Sequence, residues 1–230
     1  MSKKASKDAS KVINSGFIGQ GPVVEQFEEA LRNRFRQEYI VTTNSATSAE
    51  HLAIRMLQNP DKNKEIYEWG YVEDNWPGIQ DKCYKLYGFR PAVIEDCAHS
   101  FGSKYKDKPI GSYGNFATFS FQAIKHLTSV DGGILICPHE KLYKRAKILR
   151  WYGIDRDDNR KEWGYKFHMN DVNASIGLAN LKEVDENVIA KHKANAHYYN
   201  EQLKDINGVT LLENKEGHDS AYWIYTIKVE

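Results

Sequence analysis

Long apolar runs are missing from this chain. No stretch approaches the roughly 20 residues that a membrane-spanning helix needs, which predicts a soluble protein with no membrane partner. Excess charge of one sign is missing too: 32 Lys and Arg stand against 31 Asp and Glu. A net charge of +1 gives no basic field to hold nucleic acid. Cysteine is scarce. Cys83, Cys97 and Cys137 are an odd number without the paired spacing of a zinc site. They read as reduced thiols of a cytoplasmic protein, with no metal. The first residues, Met1 to Lys7, carry charge with no apolar segment behind them, so no signal peptide is expected. No internal repeat and no low-complexity tract appears. What remains is 41% hydrophobic residues in 230, enough to build the core of one or two domains.

Those apolar residues alternate between two periods. Tyr39 to Thr42, Pro91 to Asp96, Phe116 to Phe121 and Ile134 to Cys137 read as strands, the second with too few polar residues for an exposed edge. Val23, Val24, Phe27, Leu31 and Phe35 form one stripe of a helix from Pro22 to about Arg36, entered from the glycine-rich Gly16 to Gly21. Further helices are expected from about Ala49, over Asn75 to Tyr87 with Ile79, Cys83, Leu86 and Tyr87 inward, over Glu140 to Trp151, and after Asp171. A long one runs to about Asp205. The alternation predicts an α/β fold with a mainly parallel sheet flanked by helices. Residues 1–12 read as a mobile polar segment, 13–185 as a large domain, and 186–230 as a connecting helix and the start of a small α+β domain. Val209 to Leu212 and Tyr222 to Val229 are its strands.

Three local patterns carry chemistry. Lys125 follows the apolar run Phe116 to Phe121 and precedes Asp131-Gly132-Gly133, which turns the chain into the next strand. Phe119 and Phe121 fall on one face of the first strand and Ser120 on the other. A lysine between two apolar strands is either paired at the surface or desolvated, and a desolvated amine is a nucleophile toward carbonyls. Thr43-Asn44-Ser45-Ala46-Thr47-Ser48 leads into a helix. Thr47 and Glu50 have capping-box spacing, while the small residues also suit an anion at a helix N-terminus. Asp96 and His99 follow a strand at its C-terminal end, where open α/β sheets bind ligands, although a lone Asp there is also a common turn former.

Ser120-Phe121-Gln122-Ala123-Ile124-Lys125-His126-Leu127-Thr128 followed by Asp131-Gly132-Gly133 resembles the cofactor-lysine segment of the DegT-type sugar-nucleotide aminotransferases, which are fold-type I pyridoxal-phosphate enzymes. The resemblance implies pyridoxal 5'-phosphate as cofactor and Lys125 as the catalytic residue that binds it covalently. It implies Asp96 at the pyridine nitrogen and His99 at the phenolic oxygen. Ser45, Ala46, Thr47 and Ser120 would hold the phosphate. At Lys166 the family commonly has Asn reaching the phosphate of a neighbouring subunit; a lysine there supplies charge to a phosphate or is a solvated surface residue. The implied substrates are an amino-acid donor, glutamate in most of the family, and a keto-sugar nucleotide, with a homodimer completing each site.

The resemblance covers about Ile13 to Glu230 with an interruption. Near 59–66 the chain passes straight from one family segment to another, without the strand, helix and stacking aromatic that the family carries between them. The chain also stops at Glu230 inside an apparent strand. Two other readings follow: an inactive remnant or non-catalytic binding protein of the same fold, and a sugar dehydratase. The dehydratases replace the lysine by histidine, and Lys125 argues against that branch.

Overall fold

Proline at position 22 has no N–H to lose in a first helical turn, and the apolar stripe behind it has one face to bury. The helix forms there, Pro22–Phe35. The structure, a computed structural model, describes residues 1–57, 78–155 and 159–230. Its helices are α1 (Lys3–Ser15), α2 (Pro22–Phe35), α3 (Ala46–Leu57), α4 (Ile79–Tyr87), α5 (Glu140–Arg150), α6 (Asp171–Leu181) and α7 (Ala190–Leu203), the last entered through one π-helical turn, Asp185–Ile189. Its strands are β1 (Ile40–Thr43), β2 (Ile94–Asp96), β3 (Lys104–Tyr105), β4 (Lys108–Pro109), β5 (Phe116–Ser120), β6 (Gly133–Ile136), β7 (Val209–Leu211), β8 (His218–Asp219) and β9 (Ile227–Val229).

The central sheet has the order β1-β6-β5-β2. β2 pairs parallel with β5, and β6 is antiparallel to both β1 and β5, so three of the four strands run in one direction. Both faces are covered. Phe119, Phe121, Ile134 and Ile136 pack on one side with Phe27, Leu31 and Phe35 of α2. Val41, Phe116 and Leu135 pack on the other with Leu52 and Ala53 of α3 and Leu149 of α5. Period-two alternation sends Phe119 and Phe121 one way and Ser120 the other, as the pattern predicts.

One polar knot crosses this core. Arg150 donates to Glu28 Oε1 and to the Thr42 carbonyl, both at 2.6 Å, and Glu28 also accepts from Thr42 N–H at 2.9 Å. All three residues are buried, and they tie α2, β1 and α5 together. A second knot is Asp171, whose buried carboxylate accepts from the backbone N–H groups of Gly21, Val23 and Val24. It caps α2 from α6, because Gly21 at the start of α2 has no side chain to do so.

Several expectations are corrected. Residues 1–12, expected as a mobile polar segment, form most of α1; Ala5 and Ala9 are buried and Ser2 N–H donates to Asn180 Oδ1 at 2.7 Å. α3 starts at Ala46, ahead of the expected Ala49. Its cap is Ser45, whose Oγ accepts from Ser48 N–H, in place of the Thr47–Glu50 box. α4 turns Leu86, Tyr87 and Ile79 outward and buries only Gln80, whose amide donates to Pro91 O and Asn115 Oδ1. β2, expected inside the sheet, is an edge among the described residues. Tyr222 has φ +52°, which breaks the expected strand from 222 and leaves only β9. The expected interruption near 59–66 lies outside the described residues.

Candidate functional site

Residues 122–132 form a closed loop between β5 and β6. Phe121 N–H donates to Gly132 O at 2.8 Å and Ser129 N–H to Phe121 O at 2.9 Å, which cinches the neck. Asn180 and Asn173 of α6 donate to Thr128 O and Asp131 O, both at 2.7 Å. His126 is buried with Nδ1 3.1 Å from Phe101 O, so the residue next to Lys125 is an anchor. Lys125 is thus half-buried on a loop held from several sides. Burial pushes its amine below the ordinary lysine value, with the Asp96 carboxylate opposing.

The neck of this loop meets the start of α3. Ser120 pairs with Gly133 across the ladder, and a Cβ at Gly133 would stand 2.6 Å from Ala46 N and from Ser45 C. Glycine at 133 therefore keeps the approach to the first turn of α3 open. Ser48 N–H bonds Ser45 Oγ and Ala49 N–H bonds Ser45 O. The N–H groups of Ala46 and Thr47 precede the first intrahelical bond, so helix geometry leaves them as donors for an anion. A cavity of about 370 Å³ beside them is lined by Thr47, Glu50, His51, Ile54, Arg55 and Tyr165.

Asp96 ends β2 in register with Thr118 of β5. Its Oδ1 accepts from Ala98 N–H at 3.0 Å, the turn-forming role, and its charge still acts on Lys125, His99 and Glu50. His99 is held below its ordinary value by burial and by the Lys125 charge, against Asp96. Glu50, reaching from α3 to the Thr118 hydroxyl at 3.4 Å, is pushed up by burial and by Asp96.

Lys125, Asp96, His99, Ser45, Ala46, Thr47 and Ser120 therefore lie where β1, β2 and β5 end and α3 begins. Lys166 joins them through its backbone: its carbonyl accepts from Asn44 Nδ2 at 3.2 Å, and its side chain is exposed. Two further residues belong to the cluster. In the sequence Glu50 stands only as half of a capping box. Trp223, which the sequence pattern puts in a strand, has its ring 3.8 Å from the His99 ring and 4.1 Å from Lys125 Nζ. Nothing local in Tyr222-Trp223 sets it apart from a strand pattern; only the +52° turn at Tyr222 aims it here.

The sequence profile described as the DegT/DnrJ/EryC1/StrS aminotransferase family matches residues 1–66 and 89–230. GDP-perosamine synthase of Escherichia coli O157:H7 is 37% identical over 280 residues, covering 97% of this chain and 74% of that protein. That alignment is longer than the 230-residue chain, so the relative carries residues that have no counterpart here. Among solved structures, AtS13 from Actinomadura melliaura is 36% identical with a TM-score of 0.88, covering 100% of this chain and 78% of that one. The sugar aminotransferase CalS13 from Micromonospora echinospora is 29% identical with a TM-score of 0.86, covering 100% and 79%.

Proposed function

The chain belongs to the DegT/DnrJ/EryC1/StrS aminotransferase family, and from that premise we propose how its site works. It transfers an amino group from an amino acid, glutamate in our reading, to a keto-sugar carried on a nucleotide, with pyridoxal 5'-phosphate as cofactor. The product is an amino sugar for a surface polysaccharide or a similar glycoconjugate. The observation that carries this reading is that Lys125 feels the Asp96 charge on a loop whose neck, Ser120 and Gly133, lies against the first turn of α3. Relatives named for nucleotide-sugar chemistry support the substrate class.

The residues present fit the cofactor. Ala46 and Thr47 N–H with the hydroxyls of Ser45, Thr47 and Ser120 would hold the phosphate, and the bare Gly133 leaves them room. Asp96 would keep a proton on the pyridine nitrogen and His99 would donate to the phenolic oxygen. When bound, the cofactor supplies an electron sink for a carbanion beside the amine. Lys125 Nζ would hold the cofactor covalently and would move the proton at the substrate carbon. Its depressed basicity suits both tasks. Lys166 adds charge for a phosphate across the subunit boundary of a homodimer. In this reading 13–185 hold the cofactor and 186–230 form the connecting helix and the smaller part.

The test is the absorbance spectrum of the purified protein with added pyridoxal phosphate. A band from the lysine-bound cofactor is expected, and it should vanish in Lys125→Ala while the melting curve stays unchanged. Transamination retained in that variant would remove Lys125 from the mechanism. A second reading, the non-catalytic remnant, is favoured by the edge position of β2 among the described residues and by the interrupted family match. It requires that the unmodified protein give no band at all.

A further inference from the structure

Trp223 touches two of the groups just assigned. Its ring stacks on His99 with centroids 3.8 Å apart and planes at 25°. Lys125 Nζ stands over its face, 4.1 Å from the centroid. Its indole N–H donates to Ile124 O at 3.0 Å, which ties the ring to the residue before the lysine. The ring is delivered under constraint. Tyr222 sits at φ +52°, an unfavourable value for tyrosine that persists only where the surroundings enforce it. They do: Lys193 grips both Asp219 oxygens at 2.6 and 2.7 Å, and Ala221, fully buried, donates its N–H to Ser103 Oγ at 3.0 Å. His192 Nδ1 lies 3.0 Å from Tyr222 O.

We propose that Trp223 is a positioning residue for Lys125: the C-terminal segment uses the indole to hold the amine and His99 in one column and to set the charge on the amine. This inference rests on the function proposed above. The face of an indole attracts an ammonium and is indifferent to a neutral amine. Other groups bear on the same amine. Burial disfavours its charge, Asp96 at the end of β2 favours it, and His99 opposes it when protonated. Glu50 of α3 acts on Asp96. Trp223 adds to the Asp96 side of this balance while fixing where the amine lies.

Replacing Trp223 by Leu keeps an apolar cover and removes the aromatic face. In the cofactor-free protein the midpoint of Lys125 titration should fall by about half to one pH unit. Trp223→Phe should restore most of that shift, although it loses the bond to Ile124 O. The midpoint is read from 13C-methylated lysines by NMR, with Lys125 assigned by its loss in Lys125→Arg. An unchanged midpoint in the folded Leu variant, or a Phe variant that behaves like Leu, would overturn the proposal. Where the Leu variant does not fold, the wild-type indole N–H signal decides, assigned by its loss in Trp223→Phe. It must move as Lys125 titrates, and a static signal overturns the proposal equally. Adding pyridoxal phosphate to the unmodified protein separates the two readings. A midpoint shift without a lysine-bound band keeps the positioning role and sinks the function; a band without a midpoint shift does the reverse.

Discussion

The two ends of the central sheet are built by different means. At one end β1 is buried along its whole length, and Arg150, Glu28 and Thr42 lock it between α2 and α5. At the other end β2 has three residues, of which only Glu95 is buried, and α4 beside it leaves its apolar side chains in solvent. This second end is held by polar contacts. Glu95 accepts from the N–H groups of Gly111, Tyr113 and Gly114 at 3.1, 2.8 and 2.6 Å. The candidate site spans both: Lys125 and the α3 cradle belong to the locked side and Asp96 to the open one. Loss of the locked end should therefore unfold the protein, and loss of the open end should mainly misplace Asp96.

The largest expected effect is at the locked end. Arg150→Ala takes from the buried Glu28 carboxylate its nearer cation, at 2.6 Å, and leaves it Arg32 at 3.6 Å, a loss of about 3 kcal/mol in urea unfolding. Glu95→Ala comes next, at about 2–3 kcal/mol, because three backbone donors lose a charged acceptor. Its effect on cofactor retention should exceed its effect on the unfolding midpoint. If Glu95→Ala lowers the midpoint as much as Arg150→Ala, the two ends are equally structural and the contrast fails.

The difference between the ends also sets what could be read in advance. β5, β6 and α2 were legible because their residues bury by period, two for the strands and 3.6 for the helix, and Phe119, Ser120 and Leu31 obey it. The Lys125 loop and the small residues before α3 were legible as a motif. α4 was not: Ile79, Cys83, Leu86 and Tyr87 have helical spacing, yet an apolar stripe says only that a face needs cover, and here Gln80 faces in. Glu95 and Asp96 are adjacent carboxylates sent to opposite faces by the pleat. Sequence singled out the exposed one; the buried one needed the turn at Gly111 to Gly114 to be seen. Trp223 meets Ile124 across 99 residues and Asp171 meets Gly21 across 150, and no local pattern reports such a contact.

Acid should separate two carboxyls of the locked side, Glu28 of α2 and Glu50 of α3, by sign. Burial alone would raise the Glu28 carboxyl, but the Arg150 charge and the Thr42 bonds more than offset it and hold the group below 4.5. The unfolded chain then takes up the proton first, so this stability is present above about pH 4.5 and is lost as pH falls through the folded value. Glu50 runs the other way. Burial and the Asp96 charge raise it, so the folded state takes up the proton first, and stability is gained as pH falls from that raised value toward 4.5. In melting curves from pH 7 to 3, Glu28→Gln should flatten the acid loss and Glu50→Gln should remove the gain above it. Two variants with curves parallel to the wild type would show that neither carboxyl carries the difference.

The smallest expected effect lies on the outer face of α4. Leu86 is 73% exposed, Tyr87 69% and Phe89 52%. A side chain that stays in water on folding transfers little apolar area, so Leu86→Ser and Tyr87→Ser should each move the unfolding free energy by no more than about 0.5 kcal/mol. Most of that is the lower helix propensity of serine. The polar contacts of this helix, Gln80 to Asn115 and the Arg90 guanidinium over the Tyr84 ring at 4.3 Å, are untouched by either change. A loss near the roughly 1.5–3 kcal/mol of a buried leucine would mean that this face is covered in solution. Unfolding at two protein concentrations would then identify the cover. A second copy of the chain makes the loss fall away on dilution, whereas a cover from within the chain leaves it unchanged. In either case the open end would be as well packed as the locked one, and the placement of Asp96 would no longer depend on Glu95 alone.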